Sequence, residues 1–181
     1  MSDRVQDSAD IEQRAGAVRM LVFDVDGVLT DGSLFYDNQG QEYKAFNSRD
    51  GHGIKMLAAS GVKTGIITGR TSQIVLHRAR NLGIDHIYQG AEDKLEALHA
   101  LLRETGLAAE QIAYMGDDVV DLPVMNRCGL AITVPDAPEE VKRRCHVVTQ
   151  AAAGRGAARE ACELIMRAQG TWAAQIALYD R

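Results

Sequence analysis

The fold is decided by residues 18–30, VRMLVFDVDGVLT, in which an apolar run is followed at once by two carboxylates and a glycine. The run Val18–Phe23 predicts a buried strand, as expected where both faces of a sheet are covered. Asp24 and Asp26 leave the end of that strand together, and a turn at Gly27 can direct both side chains into one small site. One carboxylate can then attack a substrate while the other moves a proton. The alternative is that both are solvated turn residues beside a glycine.

Strand-like runs alternate with stretches whose apolar residues have helical spacing. The strand-like runs are Val18–Phe23, Val62–Ile67, Ile112–Met115 and Leu130–Val134, with a weaker one at Ile87–Tyr88. The helical stretches are Gly53–Ser60, Ser72–Leu82, Lys94–Thr105, Val119–Arg127, Glu139–Cys145 and Ala157–Gln169. This alternation predicts an α/β fold, a Rossmann-like parallel sheet with helices on both faces. Ligands bind such sheets at the carboxyl ends of the strands.

One segment, Asp31–Phe46, interrupts this alternation. Its two β-prone stretches, Leu34–Tyr36 and Glu42–Phe46, flank the turn-rich Asp37–Gly40. That arrangement is typical of a β-hairpin. Because the hairpin follows the paired aspartates, we expect it to project beside the site as a flap.

Length and composition predict the domain organisation and argue against several classes of function. The 181 residues are 46% hydrophobic and have no internal repeat or long linker, which predicts one domain with an N-terminal arm (1–16) and a C-terminal tail and helix (about 150–181). The formal net charge of −5, without a basic run, argues against nucleic-acid binding. No apolar stretch approaches the about 20 residues of a membrane span. The cysteines, Cys128, Cys145 and Cys162, lack metal-ligand spacing and are expected to be reduced in a cytoplasmic protein.

Four polar segments follow predicted strands or begin a predicted helix. They are DVDG (24–27), TGR (68–70), Lys94 and GDDVVD (116–121). Thr68 and the Gly69 amide can hold a phosphoryl oxygen, and the alternative is that Thr68 caps the next helix. Lys94 alone is typical of a solvated surface, and the acidic segment alone can be a charged helix start.

Together, in this order, the segments resemble the haloacid dehalogenase superfamily of phosphatases and phosphotransferases, from about residue 18 to 134. The resemblance implies Asp24 as the nucleophile and Asp26 as the general acid and base, with Thr68 and Lys94 holding the phosphate. Members that break carbon–halogen bonds typically lack an acidic residue two positions after the nucleophile. Asp26 therefore favours phosphoryl transfer to water.

The same resemblance implies a Mg²⁺ site. Asp24, Asp117 and the backbone carbonyl of Asp26 are its expected ligands, and Asp118 and Asp121 would complete or orient the metal shell. A hard cation with oxygen ligands relieves the repulsion between an attacking carboxylate and a phosphate monoester.

A finer resemblance is to the capless, tetrameric family of 3-deoxy-D-manno-octulosonate 8-phosphate phosphatases. It rests on DVDGVLTDG (24–32), FNSRDGHG (46–53), ITGRTS (67–72), RARNLG (78–83) and GRGAARE (154–160). It implies hydrolysis of this sugar phosphate in lipopolysaccharide inner-core synthesis, with no cap domain. It also implies a homotetramer in which a neighbouring subunit covers the open site, and a flexible tail that starts at Gly154–Gly156 and reaches a neighbouring site.

The substrate implied by this resemblance carries a carboxylate, which a guanidinium can bind through two hydrogen bonds. Arg70 and Arg78 are the first candidates, and Arg49 and Arg155 are further ones. An ordinary surface salt bridge is the alternative for each arginine. Two other functions stay open: a phosphatase for a related acidic sugar, such as a nonulosonate 9-phosphate, and a catalytically silent assembly module.

Overall fold

Six parallel strands form the central sheet in the computed structural model, which describes residues 7–180. In chain order the strands are β1 (Met20–Phe23), β2 (Phe35–Tyr36), β3 (Glu42–Tyr43), β4 (Lys63–Ile67), β5 (His86–Tyr88), β6 (Ile112–Met115), β7 (Leu130–Thr133) and β8 (Val147–Val148). The helices are α1 (Ser8–Ala17), α2 (Ser48–Ala59), α3 (Gln73–Leu82), α4 (Lys94–Thr105), α5 (Leu122–Met125), α6 (Glu139–Lys142), α7 (Ala157–Ala168) and α8 (Trp172–Ala177). The predicted α/β fold, with a parallel sheet and surrounding helices, is confirmed.

Strand order places the site. The sheet runs β5-β4-β1-β6-β7-β8, so β1 lies between β4 and β6. In this register Phe23 pairs with Ile66 on one side and Met115 on the other. The backbone N–H of Asp24 then donates to the Met115 carbonyl at 2.9 Å. The loops that follow β1, β4 and β6 therefore emerge side by side, where the chain diverges to opposite sides of β1.

The core lies on the central strands. All residues of β1, β6 and β7 are buried, including the large side chains of Phe23, Met115 and Tyr114. Helix α7 packs against both α1 and α2, and α4 packs against α5. Burial of apolar surface on this scale is the main force that holds the sheet and its loops in place.

Helix α2 begins at Ser48, five residues before the predicted start at Gly53. Its N-cap is Asn47, whose Oδ1 accepts hydrogen bonds from the backbone N–H of Arg49 and Asp50. Gly53, inside this helix, is required by packing, because a Cβ there would lie 2.6 Å from Cδ of Arg159. The low helix propensity of glycine is therefore outweighed at this position by the contact with Arg159.

The segment after β8 differs from the predicted flexible tail. The Gly154 N–H donates to the Val28 carbonyl at 3.0 Å, which ties the segment to the loop after β1. Residues that follow Gly156 form α7, and the buried carboxylate of Asp50 accepts hydrogen bonds from the N–H groups of Gly156 (3.2 Å) and Arg159 (2.9 Å). This anion at a helix N-terminus also complements the helix dipole. Strand β8 and helix α8 were not predicted.

The predicted hairpin is present as β2 and β3, which pair antiparallel outside the main sheet. Its apolar side chains are about half exposed: Leu34, Phe35, Tyr36 and Tyr43. No separate cap is evident among residues 7–180. None of the helices in this range is both long and apolar enough to cross a membrane.

Candidate active site

Three carboxylates meet at the carboxyl ends of β1 and β6. One oxygen each from Asp24, Asp117 and Asp121 lies within 4.8 Å of the others. Asp24 directly follows β1, and Asp117 follows the neighbouring β6 after one glycine. Gly27 is needed beside them, because its φ is +85° and a Cβ there would lie 2.1 Å from Oδ2 of Asp117. The fold therefore concentrates negative charge in one buried corner.

Lys94 supplies a cation to this cluster. Its Nζ lies 2.7 Å from Oδ2 of Asp24 and 2.6 Å from Oδ1 of Asp121, and only 4% of the residue is exposed. Burial alone would lower the pKa of Lys94, but the two carboxylates outweigh burial and raise it. The lysine is therefore held as an ammonium ion, and the surface alternative for Lys94 does not apply.

Asp121 organises the loop after β6. It is fully buried, and its Oδ1 accepts from the Tyr114 hydroxyl at 2.6 Å as well as from Lys94. Its Oδ2 accepts from the backbone N–H groups of Asp117 (3.0 Å) and Asp118 (3.1 Å). Since both oxygens are already occupied, Asp121 is suited to orienting its neighbours. Tyr114 was not singled out from the sequence, because a tyrosine within an apolar strand gives no signal of such a contact.

Asp117 is the carboxylate best suited to a cation. Burial, together with the charges of Asp121 and Asp24, raises its pKa to about 7. No residue between 7 and 180 donates a hydrogen bond to its carboxylate, so its oxygens are available to a ligand outside the chain. Three carboxylates against the one ammonium of Lys94 leave an excess of two negative charges when all are ionised. A divalent cation with a preference for oxygen matches both the charge and the donor atoms.

The nucleophile candidate Asp24 is also buried. Its Oδ1 accepts from the Val25 N–H at 2.7 Å, and its Oδ2 faces Lys94. Burial raises its pKa, Lys94 opposes this shift, and Asp121 adds to it. The carboxylate is therefore fixed at both oxygens, at the end of a strand that is itself buried.

Thr68 lies in the loop after β4 and is 3% exposed. Its backbone N–H donates to the Tyr88 carbonyl at 2.9 Å, and its carbonyl accepts from the Ala91 N–H at 3.1 Å. It does not cap the next helix, because α3 begins at Gln73 with Ser72 in the N-cap position. The helix-cap alternative for Thr68 is therefore wrong.

Comparison with known proteins assigns the family. Residues 86–160 match the model of the haloacid dehalogenase-like hydrolases. The chain is also 49% identical over 160 residues to the 3-deoxy-D-manno-octulosonate 8-phosphate phosphatase KdsC of Yersinia pestis, an alignment that covers 88% of this chain and 86% of that protein. This chain belongs to the haloacid dehalogenase-like hydrolases. The family expected from the motifs is thereby confirmed.

Solved structures of related hydrolases agree with this fold. A probable YrbI family phosphatase from Pseudomonas syringae is 53% identical and has a TM-score of 0.94, with 96% of this chain and 98% of that chain covered. A 3-deoxy-D-manno-octulosonate 8-phosphate phosphatase from Moraxella catarrhalis, solved with magnesium, phosphate and a KDO molecule, is 42% identical. Its TM-score is also 0.94, with 96% of this chain and 99% of that chain covered.

Two residues of this hydrolase that sequence reasoning missed lie on the hairpin. Lys44 places its Nζ 2.5 Å from Oδ1 of Asp26, and Glu42 lies 3.2 Å from the same Nζ. Arg70 approaches the other oxygen of Asp26, with Nε at 3.6 Å. A signal was present in the sequence, because Glu42 and Lys44 are two residues apart and such residues share a face of a strand.

The two first candidates for substrate binding differ in position. Arg70 lies beside Asp26 with its side chain partly exposed, and it donates to the Tyr36 hydroxyl of the hairpin. Arg78 instead donates to the Asn47 carbonyl at 3.3 Å, with its guanidinium carbon 5.7 Å from the ring centroid of Phe46. Arg78 therefore connects α3 to the start of α2.

Three other predicted site residues of the hydrolase lie on its surface. Arg49 is exposed in the first turn of α2, and Arg155 is exposed on the loop before α7. The charge of Arg155 reaches Asp31, in the loop after β1, and adds to the stronger hydrogen-bonding effect of Ser33 in lowering the pKa of Asp31. Asp118 is also exposed, and its side chain accepts from the Val119 N–H at 2.7 Å.

Proposed function

We propose that this protein is a magnesium-dependent phosphatase that hydrolyses 3-deoxy-D-manno-octulosonate 8-phosphate to the free sugar acid and inorganic phosphate. This activity belongs to lipopolysaccharide inner-core synthesis. The observation that carries the proposal is the buried cluster of Asp24, Lys94, Asp117 and Asp121, which lies at the ligand-binding edge of the sheet. The names of the relatives, at 42–49% identity over most of the chain, supply the substrate.

The proposed magnesium ligands are Asp24, Asp117 and the backbone carbonyl of Asp26, with Asp118 and Asp121 supporting them. The fit rests on three clustered carboxylates, on the Asp117 carboxylate that accepts no hydrogen bond within residues 7–180, and on the excess negative charge around Lys94. When bound, the cation offsets the repulsion between the attacking carboxylate and the phosphate.

The chain's own residues then divide the chemistry. A carboxylate oxygen of Asp24 forms a bond to phosphorus while the ester P–O bond breaks, and Asp26 gives its proton to the departing sugar oxygen. Lys94, the Thr68 hydroxyl and the Gly69 N–H hold the phosphoryl oxygens. In the second half, Asp26 takes a proton from water, whose oxygen attacks phosphorus and releases inorganic phosphate from Asp24.

Recognition of the sugar acid is assigned to Arg70, because its side chain lies beside Asp26 and is 43% exposed. We also propose that residues 1–181 act as one catalytic domain in a cytoplasmic homotetramer with sites at subunit interfaces. The half-exposed aromatic residues Tyr36 and Tyr43 of the hairpin favour contact with a second copy. The three cysteines are buried and form no disulfide within residues 7–180, which fits a reducing compartment.

The direct test is phosphate release from a panel of sugar phosphates by wild type, Asp24→Asn and a control. Asp85→Asn is the matched control, because it removes an exposed carboxylate at the amino end of β5, the opposite edge of the sheet. Wild type and control should hydrolyse the octulosonate ester only with magnesium, and Asp24→Asn should be inactive. Higher kcat/KM on a nonulosonate 9-phosphate would change the assigned substrate. No release in magnesium would indicate an assembly module.

A further inference from the structure

The hairpin carries a lysine that is buried against the carboxylate of Asp26. The Lys44 side chain is 1% exposed, and its Nζ lies 2.5 Å from Oδ1 of Asp26. Lysine ordinarily keeps its ammonium group in water, so a buried one needs compensating partners. Here the partners are Asp26 itself and Glu42, whose Oε1 lies 3.2 Å from Nζ.

Glu42 is in turn held in place from the loop after β4. Its Oε2 accepts from the Ser72 hydroxyl at 2.7 Å, and its Oε1 accepts from Arg70 at 3.0 Å. Burial opposes ionisation of Glu42, but Ser72, Lys44 and Arg70 together lower its pKa. The glutamate is therefore a fixed anion that connects the hairpin to the loop that bears Arg70.

The two oxygens of Asp26 have different surroundings. Oδ1 faces the Lys44 ammonium group, whereas Oδ2 lies 3.6 Å from Nε of Arg70, which is too long for a hydrogen bond. Within residues 7–180, these are the only cations within 4.0 Å of the carboxylate. An ammonium group only donates, so the oxygen that faces it must accept. A transferable proton on Asp26 therefore belongs on Oδ2.

We propose that Lys44 is a positioning residue, which binds Oδ1 of Asp26 so that Oδ2 carries the proton to the leaving-group oxygen, and that Glu42 holds Lys44 in this position. The inference deepens the proposed function and rests on it. The Oδ2–H bond breaks as the P–O ester bond breaks, and the proton becomes the hydroxyl hydrogen of the sugar. In the second half Oδ2 takes the proton of the attacking water. The hairpin thus contributes to proton transfer and not only to the wall of the site.

The test compares two leaving groups in single turnovers with enzyme in excess and saturating magnesium. A sugar alkoxide needs a proton in order to leave, whereas p-nitrophenolate does not, and general acids contribute about 10²- to 10⁴-fold to such steps. Lys44→Met should slow release of the sugar at least about tenfold more than release of p-nitrophenol. Lys44→Arg should restore part of this difference, because it returns a donor. Lys55→Met, which removes an exposed lysine on α2, is the matched control.

A hairpin that merely lost its structure would slow both esters alike, so equal losses in Lys44→Met would overturn the inference. Glu42→Gln provides a second variant that keeps Lys44, and it should show a smaller loss with the same preference for p-nitrophenyl phosphate. Asp26→Asn separates the two proposals. If Asp26→Asn discriminates between the esters and Lys44→Met does not, only the role of Lys44 fails. If wild type releases neither leaving group, the proposed function fails.

Discussion

Replacing Asp117 by asparagine should make the metal-free protein more stable at neutral and higher pH. Asp117 lies in the corner with Asp24 and Asp121, and burial and these charges raise its pKa from 3.8 to about 7. The folded protein therefore resists ionisation of a group that ionises readily in the unfolded chain. Asparagine has nearly the same shape, and its amide can donate to the neighbouring carboxylates.

The size of the stability gain in Asp117→Asn follows from the shift in the pKa of Asp117. A rise from 3.8 to about 7 is about three units, and each unit corresponds to about 1.36 kcal/mol, which gives about 4 kcal/mol. Since the carboxyl group keeps partial exposure, solvent screening reduces this to about 2 kcal/mol. For a chain of 181 residues that corresponds to a rise in Tm of about 4–8 °C.

The stability difference between wild type and Asp117→Asn depends on pH. Below about pH 4 Asp117 is protonated in both the folded and the unfolded chain, so it does not lower the free energy of unfolding. The free energy of unfolding of wild type then falls, relative to the variant, as pH rises from about 4 to about 7, and the difference is complete above that. Magnesium should make wild type the more stable of the two proteins. Binding at a hundredfold excess over Kd adds about 2.7 kcal/mol to the free energy of unfolding of a protein with an intact site.

The assay is thermal unfolding of wild type, Asp117→Asn and Asp118→Asn between about pH 5 and 8, first in chelator and then in magnesium. Asp118→Asn is the matched control, because it removes the adjacent, exposed carboxylate and retains a side chain that can accept from Val119. In chelator it should stay within about 0.5 kcal/mol of wild type. A metal-free Asp117→Asn protein no more stable than wild type at pH 8, or equally stabilised at every pH, would refute the reasoning.

Three further predictions concern Asp117, Gly154 and Lys94. Magnesium affinity, measured by isothermal titration calorimetry, should rise as pH approaches about 7 and level off above it, because Asp117 must lose its proton to bind; a flat profile would contradict its raised pKa. Gly154→Ala should lower the free energy of unfolding in urea by more than about 1 kcal/mol, since a Cβ would lie 2.7 Å from backbone atoms of Thr30 and Asp31; Gly40→Ala, also at positive φ but in open space, should cost less. Lys94→Met should cost metal-free protein about 3 kcal/mol at pH 8 by chemical denaturation, because two buried carboxylates lose their cation, and an unchanged midpoint would argue against that ion pair.

Much of the site was predictable because its parts directly follow strands. The strands β1 and β6, which precede Asp24 and Asp117, contain no charged residue, and their ends were placed correctly at Phe23 and Met115. Parallel strands that share an edge bring such ends together without any detailed knowledge of side chains. The start of α4 at Lys94 was also predicted, and the structure directs that lysine into the cluster.

Other features were not predictable, since they depend on contacts between distant segments. Gly53 within α2 depends on Arg159, more than a hundred residues away, because that side chain leaves no room for a Cβ. The anchoring of α7 depends on Asp50, whose carboxylate accepts hydrogen bonds from the N–H groups of Gly156 and Arg159. Nothing in the sequence around Asp50 indicates this contact with a distant helix. Strand β8 has only two residues, too few for any periodicity to appear.

By itself, the sequence determined the order of most of the strands and helices, the family, and the carboxylates and lysine available for chemistry, because periodicity and strand-end motifs are local properties of a chain. Only the tertiary structure decided which charges face one another. It paired Lys94 with Asp24 and Asp121, left the Asp117 carboxylate without a hydrogen-bond donor from residues 7–180, and placed the hairpin's Lys44 against Asp26. These pairings depend on distance, orientation and burial, and those quantities exist only once the sheet has brought separate loops to one edge.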